Sequence, residues 1–213
     1  MCEVYGSTET TAMVSITPWG GRIKPGTVGV PVADTNIKIV AVDDPNKELG
    51  LGEPGEIAIK GPQIMMGYYK KTEETEAVLK DGWFFTGDIG KFDEDGYLTI
   101  VDRKKDMIIA GGYNIYPVEL DDVLMGHPKV LEACTIGIPH DYRGETVKAF
   151  VVAKASEELT EQEVVSYCKE NLAAYKVPKI IEFIDELPKS AVGKILRRKL
   201  KDMEMEKLGE QKK

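Results

Sequence analysis

The sequence predicts an α+β protein in two parts: a β-rich, barrel-like first half, and a compact second half in which helices and strands alternate. Three observations carry this. Residues 1 to about 102 are dense in Gly and Pro, with short β-type runs between turn signals. From about residue 104 the apolar spacing switches repeatedly between the strand and helix periods. The composition is 42% hydrophobic and 30% charged, that of an ordinary globular chain, and 213 residues suffice for two modest cores rather than a full multi-domain enzyme.

In the first half the β-type runs fall at 35–42, 56–60 and 97–101, and their turn-rich spacing predicts a small barrel or sandwich. The second half opens with Met107-Ile108-Ile109 and 113–116 on either side of Gly111-Gly112, a pair able to supply the positive φ angles of a tight hairpin. Pro117 suits the first turn of a helix that buries Leu120, Val123 and Leu124 and ends near Gly126. Strands follow at 130–138 and 146–153. Thr160, with Glu163 three residues on, forms a capping box for a second helix whose inner face is Val164, Val165, Cys168 and Leu172. Pro178 stops that segment, 180–184 reads as a strand, and the chain from about 194 is a basic helix frayed at its end. The short polar stretch 102–105 joins the halves, which gives domains 1–102 and 103–213.

Charge and cysteine usage exclude several classes. Lys and Arg number 28 against 36 Asp and Glu, and the net charge of −8 opposes attraction to a phosphate backbone, so nucleic acid is not an expected partner. Nothing approaches the roughly 18 consecutive apolar residues of a spanning helix, and no basic segment precedes an apolar signal core, so a cytoplasmic chain without a transmembrane segment is expected. Cys2, Cys134 and Cys168 are odd in number, scattered and without CxxC spacing, which predicts reduced thiols and neither disulfide nor zinc site, with Cys134 and Cys168 structural.

Three segments carry candidate chemistry, and each has a plainer reading. Tyr5-Gly6-Ser7-Thr8-Glu9-Thr10 offers an aromatic face, hydroxyls and a carboxylate that could stack a base and hold phosphate and magnesium; alone it is also a polar loop. Trp83-Phe84-Phe85-Thr86-Gly87-Asp88 places an acid after an apolar run, where it can accept hydrogen bonds from a ribose diol; alone it is also a strand end with a turn Asp. Asp102-Arg103-Lys104-Lys105-Asp106 is, in isolation, a solvated charge run.

Other strings fall in order with these: Gly55-Glu56-Ile57-Ala58-Ile59-Lys60-Gly61, Gly67-Tyr68-Tyr69, Gly111-Gly112-Tyr113-Asn114-Ile115, and Pro188-Lys189-Ser190-Ala191-Val192-Gly193-Lys194. Together they resemble the adenylate-forming superfamily of acyl-CoA synthetases, firefly luciferase and nonribosomal peptide adenylation domains. The resemblance implies a first half-reaction that joins a carboxylic acid to ATP with release of pyrophosphate, and a second that transfers the acyl group to CoA. It assigns Tyr5 to adenine, Thr8 to phosphate, Glu9 to Mg2+, and Asp88 and Arg103 to the ribose hydroxyls. Lys194 would bridge the substrate carboxylate and the α-phosphate, a task that suits a compact ammonium on a flexible stem; its plainer reading is one more cation in a basic tail. Lys105 would be the hinge about which the second domain swings, bringing the Gly111-Gly112 turn to the pantetheine arm of CoA.

Family members carry a phosphate loop well upstream of the Tyr5 segment. The resemblance therefore implies that this chain is the C-terminal part of a synthetase: a remnant of the large adenylation domain, then the mobile domain. Such a chain is expected to lack turnover alone, whether as a truncated product or as one half of a split enzyme with an N-terminal partner. The version of the motif at 105–117 favours a CoA ligase over a peptide-synthetase adenylation domain. The acyl pocket that sets chain length lies upstream, and a medium- or long-chain fatty acid is the leading expectation for the substrate. An aryl-acid ligase and a noncatalytic nucleotide-binding module remain alternatives.

Overall fold

A computed structural model describes residues 2–155 and 157–210, and they form two compact units with the boundary between Lys105 and Asp106. In the first unit, β1 (Val4–Tyr5), β2 (Ser15–Ile16) and β3 (Val30–Pro31) make a small antiparallel sheet. A larger antiparallel sheet follows, from β4 (Asn36–Val40), β5 (Gly55–Lys60), β6 (Leu79–Lys80), β7 (Trp83–Phe92) and β8 (Leu98–Arg103), with helix α1 (Thr72–Val78) ahead of β6. The ten-residue β7 pairs with β5 along one edge; along the other it takes β6 near its start and β8 near its end. Val14, Ile39, Ile57, Ile59 and Leu98 are buried together as the core.

The barrel expected for this half is not what forms. Gly- and Pro-punctuated β runs report strands and turns, whereas closure requires the outermost strands to pair at a consistent tilt and stagger. Here β5 is the one named strand that β4 pairs with among the described residues, beyond an isolated bridge from Val40 to Glu48, and the two-residue strands β1 to β3 form a separate sheet, so both sheets stay open.

The second unit follows its periodicity closely. Its strands are β9 (Ile108–Ala110), β10 (Tyr113–Ile115), β11 (Val130–His140), β12 (Gly144–Ala153) and β13 (Ile180–Phe183); its helices are α2 (Pro117–Met125), α3 (Glu161–Asn171) and α4 (Arg197–Glu210). In β12, alternate residues serve two cores, as a strand's period of two dictates. Ala149 and Val151 pack with Leu124 of α2 and with Val164 and Cys168 of α3. Phe150 and Val152 pack with Cys134, Ile136 and Leu200 of α4. The sheet is thus covered on both faces. The capping box forms, with the Thr160 hydroxyl 3.3 Å from the Glu163 amide and the Glu163 carboxylate 2.9 Å from the Thr160 amide. Residues 211–213, where fraying is expected, lie outside the described residues. No helix among the described residues is long and apolar enough to cross a membrane.

Candidate functional site

The first unit's site is built on a bulge. Glu56 pairs with Ile89 and Ala58 with Phe85, so the single residue Ile57 faces Thr86, Gly87 and Asp88 on β7. Extra residues in one strand break the ladder and re-aim side chains, a device common beside active sites. Gly87 takes φ +73°, a left-handed conformation that costs a Cβ-bearing residue more than Gly. The bulge is held from three sides. The Thr86 hydroxyl donates to the Ile57 carbonyl at 3.0 Å and accepts from the Asp88 amide at 3.0 Å, and the Gly87 amide donates to Glu56 Oε1 at 3.2 Å.

Asp88 so placed lines a cavity of about 470 Å³ together with Glu9, Tyr68, Arg103 and Lys105. Asp88 and Arg103 are direct cross-strand partners, with Arg103 Nε 3.6 Å from Asp88 Oδ1. The Tyr5 hydroxyl donates to Asp88 Oδ2 at 2.7 Å. Burial, then the Asp88 charge, pushes the Tyr5 phenol well above its ordinary value, so Tyr5 stays a donor. Tyr5 therefore meets the site through Asp88, while its ring packs against the core.

Glu9 sits in the 3-10 turn Thr8–Thr10, whose place is fixed by the Met65 amide donating to the Glu9 carbonyl at 2.8 Å. The Tyr68 hydroxyl donates to Glu9 Oε1 at 2.9 Å. Glu9's own backbone amide, and secondarily Tyr68, hold its carboxyl below the usual range. Glu9 is ionised at neutral pH. Thr8 is exposed and does not line the cavity.

At the end of the first unit the chain is pinned through Lys104: its amide donates to the Gly87 carbonyl at 2.8 Å and its ammonium to Glu56 Oε2 at 2.7 Å. Lys105, the next residue, is exposed.

The second unit presents its expected site residues on turns. Gly111 and Gly112 take φ +61° and +84° between the paired residues Ala110 and Tyr113. Two successive positive φ angles are the requirement of the tight hairpin turn predicted from Gly-Gly. The turn is braced by the Gly111 amide donating to the Arg143 carbonyl at 2.9 Å, and Tyr113 stacks on Tyr175 with ring centroids 4.4 Å apart. Lys194 lies on a second tight loop closed by the bridge between Lys189 and Ile195, with the Ser190 amide donating to the Lys194 carbonyl at 2.8 Å. Its side chain is exposed, and among the described residues no carboxylate pairs with it.

Comparison with known proteins bears on the whole arrangement. Residues 1–69 match the AMP-binding enzyme family and residues 119–194 match the AMP-binding enzyme C-terminal domain, in the order of the two units. The chain belongs to the AMP-binding enzymes. It is 50% identical over 202 residues to a long-chain-fatty-acid–CoA ligase of Escherichia coli O6:H1, which covers 95% of this chain and 36% of that protein. It is also similar to ATP-bound MatB of Rhodopseudomonas palustris, with a TM-score of 0.88 and 37% identity over 95% of this chain and 40% of that one. O-succinylbenzoate coenzyme A synthetase of Bacillus subtilis, in complex with ATP and magnesium ion, matches with a TM-score of 0.80 and 37% identity over 94% of this chain and 41% of that one. The chain thus spans about a third of the length of the curated relatives it matches.

Two residues of this AMP-binding chain gain a place that the sequence did not give them. Glu56 and Tyr68 stand in the motif strings that carry the resemblance, but what they touch lies 31 and 59 residues away. Glu56 holds both the Asp88 bulge and Lys104; Tyr68 holds Glu9. Among the described residues no cluster of three His, Cys, Asp or Glu forms a cation cage. A single ionised carboxylate such as Glu9 at the cavity is instead a donor that fits Mg2+, which keeps several waters and is shared with substrate phosphates.

Proposed function

We propose that this chain supplies the ribose grip, the mobile lysine and the pantetheine-facing turn of an ATP-dependent acyl-CoA synthetase acting on medium- or long-chain fatty acids. The observation that carries the reading is the pairing of Asp88 and Arg103 at one cavity, with Tyr5 donating to Asp88. Asp88 keeps carboxylate lone pairs for the two ribose hydroxyls while Tyr5 fixes its orientation, and Arg103 donates from the neighbouring strand. Tyr5 would stack on adenine, and Thr8 would donate its exposed hydroxyl to phosphate. Glu9, ionised and steered by Tyr68, would hold Mg2+, which screens the phosphates when bound.

In the first half-reaction the fatty carboxylate oxygen attacks the α-phosphorus and pyrophosphate leaves. Negative charge builds on the α-phosphate oxygens as the carboxylate oxygen bonds to phosphorus, and the Lys194 ammonium would bridge the carboxylate and that phosphate. In the second, the CoA thiol displaces AMP from the acyl carbon. Gly111 and Gly112 then let the pantetheine arm pass close to the backbone. Lys105 serves as the hinge between the two steps, because the backbone ahead of it is fastened to the first unit through Lys104. The relatives' names support the acyl class, and the ATP named with the similar structures supports the nucleotide.

Calorimetric titration with ATP tests the grip. Asp88→Ala is expected to weaken ATP by about 1.5–3 kcal/mol, the range for a hydrogen bond to a charged group. Equal affinities would reject the ribose assignment.

A further inference from the structure

We propose that Asp121 is a positioning residue for Lys194, acting through Arg197 to fix the loop that carries the lysine; this rests on the reading of Lys194 as the adenylation lysine. An exposed loop with a long flexible side chain at its tip is a poor place to hold a charge in one position unless its stems are fastened. Both stems of this loop are fastened to β11. Ahead of Lys194, the Lys189 ammonium lies 2.5 Å from Glu132. Three residues after Lys194, Arg197 opens α4, pairs with the Asp121 carboxylate and donates from Nε to the Thr135 carbonyl at 3.0 Å.

The two fastenings differ in depth. Lys189 and Glu132 are partly exposed, and an ion pair of that kind contributes little. Asp121 is 8% exposed and Thr135 is fully buried. Asp121 Oδ1 accepts from the Thr135 amide at 2.7 Å and lies 2.8 Å from its hydroxyl, which leaves Oδ2 for Arg197. Burial pushes the Asp121 carboxyl up to about 6 while Arg197 and Thr135 pull it down, so it is charged at neutral pH. A carboxylate taken this far from water is a costly way to stabilise a fold, since apolar residues of similar size often do as well. What it offers instead is direction. The planar guanidinium meets a carboxylate and a carbonyl at once, which fixes the start of α4 and the short segment back to Lys194.

The test uses Asp121→Asn, which keeps the shape and the Thr135 contact but removes the charge, and Arg197→Lys, which keeps the charge but removes the fork. Amide exchange is followed at Ser190, Gly193 and Leu196, whose amides close the loop, with Val164 and Leu172 as controls. Both variants are expected to speed exchange in the loop by at least about tenfold and leave the controls unchanged. In the complete synthetase, adenylation should fall about 10- to 100-fold with the KM for the fatty acid unchanged, while thioester formation from supplied acyl-adenylate is kept. Unchanged loop exchange in both variants, or equal losses in the two half-reactions, would overturn the proposal. Should Asp121→Asn fail to fold, Arg197→Lys decides alone. Lys194→Ala run in parallel separates the two ideas: intact adenylation in that variant rejects the parent reading, whereas the exchange data judge the anchor by themselves.

Discussion

The two units present their chemistry in opposite ways. In the first, Asp88, Arg103, Glu9 and Tyr68 come from separate strands and turns and converge on one cavity, with Tyr5 hydrogen-bonded to Asp88, each tied to another by hydrogen bond, ion pair or strand pairing. In the second, Gly111-Gly112 and Lys194 stand on tight exposed turns, braced at their stems and bare at their tips. Converging groups suit a ligand part held throughout, such as a ribose. Bare tips on braced stems suit groups that act once and withdraw.

The sharpest way to break this contrast is to damage each tip separately. Lys194→Ala should slow adenylation by about 10²- to 10³-fold, the usual cost of one preorganised donor, and spare thioester formation from supplied acyl-adenylate. Gly112→Trp should do the reverse, because its side chain would obstruct the pantetheine arm; at φ +84° it also strains the hairpin. Pyrophosphate release and CoA transfer, assayed separately in the complete synthetase, would contradict the contrast if both variants lost both steps in parallel.

A smaller effect tests whether the second unit's framework is as independent as its cores imply. Thr160→Ala should cost about 1 kcal/mol in denaturant unfolding through loss of the helix cap. It also bears on Glu163, which Lys129 first and Thr160 next hold down to about 2 from an ordinary 4.5. A folded value below the unfolded one means that this contribution is full above pH 4.5 and is lost as the pH falls toward 2. An NMR titration of the Glu163 carboxyl should therefore move upward in Lys129→Met, and an unmoved midpoint would reject the cause. The smallest expected effect concerns the thiols. Burial pushes Cys134 up to about 12 and Cys168 up to about 11, whereas Cys2 is exposed. Alkylation of the native chain at pH 8 should label Cys2 and leave the other two unlabelled, and rapid labelling of Cys134 would show a looser core than described.

The same contrast explains what the sequence disclosed. The second unit was legible almost element by element, because its signals are local: Pro117 starting α2, Gly111-Gly112 turning β9 into β10, and Thr160 with Glu163 capping α3. The first unit was legible as strands but not as a fold. Helix α1, Thr-Glu-Glu-Thr-Glu-Ala-Val, buries none of its residues and so carries no apolar period. The bulge at Thr86 to Asp88 interrupts the alternation of β7 and imitates a strand end, although the strand runs on to Phe92. Asp88, Arg103 and Glu9 were nominated by motif resemblance, but their supports Glu56 and Tyr68 act across long separations that local patterning does not report.

The central claim is that Asp88 grips the ribose hydroxyls, and one measurement addresses it with little else in the way. Calorimetry would compare ATP with 2′,3′-dideoxy-ATP on the wild-type chain and on Asp88→Ala. The account predicts that removing the hydroxyls weakens binding to the wild type by about 1.5–3 kcal/mol and has almost no effect on the variant, because the two changes delete the same interaction. Equal penalties on both proteins would show that the hydroxyls are recognised elsewhere, and would contradict it.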